Sequence, residues 1–79
     1  MQPEAVELGF QQGGSDKVYR LQLENVGDTW QVNAQWGRRG KALQNGVKAS
    51  GVSYDEAKGV HDKLLLEKTG KGYQIAQAI

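Results

Sequence analysis

The chain has 79 residues, no cysteine and a formal net charge of +1. That length supports one domain, which buries only about 60–65% of the surface exposed by its unfolded form, so a deep enclosed cavity is excluded, as are a disulfide framework and a thiolate metal site. No apolar run approaches the roughly 18 residues of a membrane span, and Met1-Gln2-Pro3-Glu4 reads as no signal peptide, so a cytoplasmic, membrane-free setting is expected. Val6, Leu8 and Phe10 alternate with Glu7 and Gly9, the period of a half-buried strand. The polar stretch from Gln11 to Asp16, with two glycines, reads as a flexible loop. Tyr19, Leu21 and Leu23 mark a second strand; Trp30, Val32, Ala34 and Trp36 mark a third. Turn chemistry at Val26-Gly27-Asp28 joins these two as an antiparallel hairpin. A weaker fourth strand runs from Leu43 to Ala49, with Asn45-Gly46 as either a tight turn or a bulge.

Ser53-Tyr54-Asp55-Glu56 is a capping box, and it opens a helix expected from Tyr54 to Thr69. Ala57, Val60 and Leu64, joined by His61 and Leu65 at its border, form the apolar stripe; Lys68 is placed off it. Gly70 is expected to end the helix in a left-handed turn. Gly59 costs about 1 kcal/mol against alanine mid-helix, which suggests a close approach there, by the sheet or by a ligand. Tyr73, Ile75, Gln77 and Ile79 alternate as a final strand or as a frayed tail. Strands followed by one helix define an α+β domain spanning residues 1–79: a small antiparallel β-sheet with one α-helix packed across one face. Its inward residues are expected to be Val6, Leu8, Phe10, Tyr19, Leu21, Leu23, Trp30 and Val32, with Leu43 and Val47 as further candidates.

The charge is unevenly spread. Residues 1–35 hold two cations against five acids, and residues 36–79 hold eight against four. The sign changes at Trp36, which suggests a side that faces a polyanion. There Trp36-Gly37-Arg38-Arg39-Gly40-Lys41 sets an aromatic ring, two glycines and three cations side by side. Indole stacks on a base or sugar, guanidinium grips phosphate, and glycine lets the backbone approach a ligand. By parity Trp36 shares a face with Trp30 and Val32, so it is either a core residue or one half in the core with a ring face presented to a ligand. Arg38, Arg39 and Lys41 are either a solvated turn or a phosphate clamp. In an extended chain Arg38 and Arg39 point to opposite faces, and a clamp needs a turn at Gly37 or Gly40. Catalysis finds no support: His61 is the lone histidine, Ser53 is a cap, and no acid–base pair, triad, metal-ligand spacing or phosphate loop is present. No cofactor is expected.

The chain resembles the WGR domain. Val18-Tyr19-Arg20-Leu21-Gln22-Leu23 precedes the motif, Trp36-Gly37-Arg38-Arg39-Gly40 fits its Trp-Gly-Arg-x-Gly core, and Glu67-Lys68-Thr69-Gly70-Lys71-Gly72-Tyr73 is similar to the family's closing segment. The motif supports residues 17–73. The resemblance implies a small sheet with one helix and a nucleic-acid-binding role. In DNA-damage-dependent poly(ADP-ribose) polymerases such a domain sits at DNA breaks, its tryptophan on a sugar near the end. It thus implies Trp36, Gly37 and Arg38 as nucleic-acid contacts, with Arg39, Lys41 and Lys48 along the backbone. The style is similar to short bacterial WGR proteins, among them relatives of a proposed molybdate-metabolism regulator. No ADP-ribosyltransferase domain fits in 79 residues, so that activity does not carry over. The expected partner is DNA, at ends or nicks and with little sequence preference. The alternative is a protein-interaction module whose Arg38-Arg39 turn meets an acidic partner or an adjoining domain.

Overall fold

The computed structural model describes residues 4–78. Five strands form one antiparallel sheet: β1 (Glu4–Gln12), β2 (Ser15–Val26), β3 (Thr29–Arg38), β4 (Gln44–Val52) and β5 (Gln74–Ala78), in the order β4-β3-β2-β1-β5. Helix α1 (Tyr54–Gly70) joins β4 to β5 and packs across β2, β3 and β4. The α+β expectation holds, and the final strand forms by pairing with β1. Ile79 lies outside the described residues.

Alternation places one apolar row per strand under the helix. Leu8, Leu21, Leu23 and Val32 are fully buried, with Val6, Tyr19, Ala34 and Ala57 around them. Phe10 is only half-buried, beyond the helix end. The sheet's other face is polar: Arg20 pairs with Glu7 at 2.7 Å, Asn33 donates to Glu24 at 2.8 Å, and Gln35 donates to Asn45 at 2.7 Å.

The expected loop at Gln11 to Asp16 is instead mostly strand. Gln12 faces Ser15, leaving only Gly13-Gly14 as the turn. Gly13 takes φ 59°, as Gly27 takes 62° in the next hairpin. A leading glycine with positive φ matches the right-handed strand twist, so the ladder runs to the last residue on each side.

Strand β4 departs most from its sequence pattern. Pairing is regular from Trp36↔Gln44 to Asn33↔Val47, through the dipeptide expected to turn or bulge, and the register then slips twice before Trp30↔Val52. One extra residue falls at Lys48 and another at Ser50-Gly51, where Gly51 adopts φ 67°. The half-buried residues therefore recur every third position, at Gly46, Ala49 and Val52. Val47 is 62% exposed, on the face away from the helix, and the core position expected for it belongs to Ala49. Leu43 precedes the strand and lies over Gly37: a Cβ there would stand 3.1 Å from Leu43 Cδ2.

The helix begins as expected, with the Ser53 hydroxyl accepting from the Glu56 amide at 3.2 Å. Its end is different. Gly70 remains helical, Lys71 is the cap, and the positive φ falls at Gly72, 106°. The Tyr73 amide donates to the Lys68 carbonyl and the Gly72 amide to Thr69, the paired bonds of a Schellman motif. Helical geometry thus reaches Lys71, which meets Glu67 at 3.6 Å.

No close approach explains Gly59. It is exposed, and nothing lies within 4 Å of a Cβ built there. Gly59→Ala should therefore stabilise the domain by roughly 0.5–1 kcal/mol, read as a higher thermal midpoint. A lower midpoint would show a hidden constraint at that turn of the helix.

Candidate nucleic-acid interface

The C-terminal end of α1, the β1–β2 hairpin and the β3–β4 turn meet at one end of the sheet. Past the helix end the inner face is only partly covered. Tyr19 and Trp36 face each other across β2 and β3, their rings stacked at 6.1 Å and 22°. They lie in a groove of about 390 Å³ that Arg38, Lys48, Lys68 and Tyr73 also line. Lys17 and Asp16 complete its rim. Tyr19 is 5% exposed, and burial pushes its phenol pKa up. Trp36 is half-buried.

The aromatic surface continues beyond Tyr19. Tyr73 meets Tyr19 edge-on at 6.2 Å, and Phe10 meets Tyr73 at 5.3 Å. Each of three ammonium groups stands over one ring: Lys48 over Trp36 at 4.7 Å, Lys68 over Tyr19 at 4.6 Å and Lys17 over Phe10 at 5.8 Å. Ring quadrupoles attract such cations, and each contact contributes about 0.5–1 kcal/mol at exposed positions.

Local backbone geometry explains these placements. Alternation from Gly46 puts Lys48 on the Trp36 face, and the bulge there brings Ala49 rather than Lys48 opposite Val32, which leaves the Lys48 ammonium over the indole. Gly46 makes room for the indole, since a Cβ there would stand 2.9 Å from Trp36 Cη2. Gly37 has φ 155°, and it directly faces Val18, which in turn faces Gly9. Leu43 lies over Gly37 and the Arg39 guanidinium over Gly9, where a Cβ would be 3.1 Å from Nη2. Between them Val18 is 4% exposed on the outer face.

The structure accordingly separates the two arginines. Arg38 lines the groove and donates to the Gly14 carbonyl at 3.2 Å. Arg39 turns to the opposite face and holds Asp16 at 2.9 Å. Lys41 is exposed in the turn, its amide bonded to the Arg38 carbonyl at 3.1 Å. Of the six candidates, Trp36, Gly37, Arg38 and Lys48 line one groove. Arg39, on the opposite face, and Lys41, in the exposed turn, do not line it. The groove adds Lys17, Tyr19, Lys68 and Tyr73. Parity with Trp36 across β2 indicates Lys17 and Tyr19. Lys68 lies seven residues after His61, on the continuation of the helix stripe rather than off it as expected.

Charge is divided in space as it is along the chain. Lys17, Arg38, Arg39, Lys41, Lys48, Lys68 and Lys71 gather at the groove end around only Asp16 and Glu67 among the described acids, whereas Glu24, Asp28, Asp55 and Glu56 occupy the β2–β3 turn and the helix start. The Arg39 guanidinium beside Asp16 holds that carboxyl below the usual carboxylate range. A depressed folded pKa means that the contact stabilises the fold above the unfolded value, about 3.9, and that this contribution is lost as pH falls through the folded value. Arg39→Gln should raise the Asp16 midpoint toward the ordinary value in a carboxylate NMR titration; an unmoved midpoint would exclude Arg39 as the cause.

Among the described residues no group of His, Asp and Glu is placed to hold a metal ion, and no helix is long and apolar enough to cross a membrane. A sheet with one flanking helix and a cationic, aromatic groove defines a small α+β binding module. The family profile described as WGR domain matches residues 4–78, nearly the whole chain, and the protein belongs to that family. WGR domains are non-catalytic modules that generally bind nucleic acid. Neither a curated protein nor a solved structure matches the chain.

Proposed function

We propose that this module binds DNA at ends or nicks. Trp36 stacks on the terminal sugar or base, and Arg38 and Lys48 hold the adjacent phosphates. Arg39 and Lys41, outside the groove, meet the backbone from the far side of the turn. The observation that carries this reading is the half-buried indole in a groove edged by cations. At about 390 Å³ the groove lies near the lower bound of small-ligand pockets, about 300–1,000 Å³. Sugars and phosphates carry no base code, so sequence preference is slight. The lack of cysteine and the bacterial style of the motif support a bacterial cytoplasmic setting.

The test is competition between linear and covalently closed circular DNA of one sequence for the same labelled, blunt duplex. Linear DNA should compete better, in proportion to its ends. Equal competition per base pair would remove end recognition. Affinity should also fall with salt, with a log–log slope of about −2 or steeper if Arg38 and Lys48 both release counterions. No DNA binding even at low salt would favour the alternative, an acidic protein or an adjoining domain docked on the same cations.

A further inference from the structure

The rings past Trp36 have no task in holding a strand terminus. We infer that they receive a single-stranded extension of the DNA end, so that the groove prefers a frayed or overhanging terminus to a blunt one. This rests on the end-binding reading above and names its substrate more closely.

Ring spacing carries the argument. Trp36, Tyr19, Tyr73 and Phe10 follow one another with centroid separations of 6.1, 6.2 and 5.3 Å. Successive units of a strand in a stacked duplex rise only about 3.4 Å. Bases stacked on one another at that rise offer no free face to the two accessible ends of this row, whereas the bases of an unstacked, extended strand do. Tyr19 is nearly covered and forms the floor. Trp36 lies on one side of it and the half-buried pair Tyr73 and Phe10 on the other. One unit seats on Trp36 and a later one against Tyr73 and Phe10.

The cations follow the same path. The Lys68 ammonium stands over Tyr19, between the two seats, and Lys17 stands over Phe10 at the far one. In the free protein these ammonium groups rest on ring faces. A strand laid along the row exchanges those contacts for charge-assisted bonds to its phosphates. Aromatic stacking with a basic border is the general solution for binding single strands without reading sequence.

The experiment compares a blunt duplex with the same duplex carrying a four-thymidine extension on either strand, by fluorescence anisotropy. At least one of the extended forms should bind about fivefold tighter or more, the effect of one added base on an aromatic ring. Tyr73→Leu, which keeps an apolar group against Phe10, should bring the ratio of extended to blunt affinity close to one. Lys17→Gln alters only an exposed side chain and should reduce the same ratio without a folding defect. Equal affinity for blunt and extended duplexes overturns the inference, as does an advantage that survives both substitutions. The ratio of linear to closed-circular DNA tests the reading beneath it, so the two can fail separately.

Discussion

Leu23→Ala should cost about 2–5 kcal/mol, the range for deleting a large aliphatic side chain from a packed interior. Leu23 is fully buried in β2, faces Val32 across the sheet, and belongs to the same cluster as Ala57 of the helix. A domain of this size holds roughly 4–12 kcal/mol in all, so the variant forfeits a large part of it. Its thermal midpoint should fall by about 10 °C or more. Val47→Ala is the contrast. By alternation Val47 is a core candidate, yet it is 62% exposed on the outer face, and its truncation should change stability by no more than about 0.5 kcal/mol. Comparable losses in the two variants would mean that the β3–β4 pairing of Asn33 with Val47 is wrong.

Trp36→Ala should weaken binding to a DNA end by about 5- to 150-fold, corresponding to the loss of one stacking contact of about 1–3 kcal/mol. The indole also packs on Tyr19 and over Gly46, so stability will fall as well. Affinity must therefore be measured where circular dichroism shows both proteins folded. Gly46→Ala offers an independent lever. Its new methyl would stand 2.9 Å from Cη2 and push the ring aside without deleting it. Weaker end binding in both variants, with a shifted tryptophan emission in Gly46→Ala, is the expected outcome. A Trp36→Ala protein that loses stability yet binds ends as before would reduce the indole to a core residue.

Much of this architecture was readable because its signals are local. Tyr19, Leu21 and Leu23 alternate cleanly and are all buried. Ser53 caps the helix it was expected to cap. Reading failed where a neighbouring segment overrides the local preference. Gly70 has the credentials of a terminator, but the paired bonds from Gly72 and Tyr73 carry the cap two residues further. Lys68 is expected off the helix stripe, yet it is half-buried and its ammonium stands over Tyr19.

Periodicity and turn chemistry alone determined the strands β1 to β3, the helix and the α+β class, because each depends on residues a few positions apart. The Trp-Gly-Arg motif determined the family. Only the tertiary structure decided which cations share a surface with Trp36. That outcome depends on the β3–β4 register, which sets Lys48 on the same inner face as Gly46 and Trp36, and on Asp16, which holds Arg39 on the outer face. Both arise between strands, where register and charge pairing, rather than the pattern within one strand, decide which side chains meet.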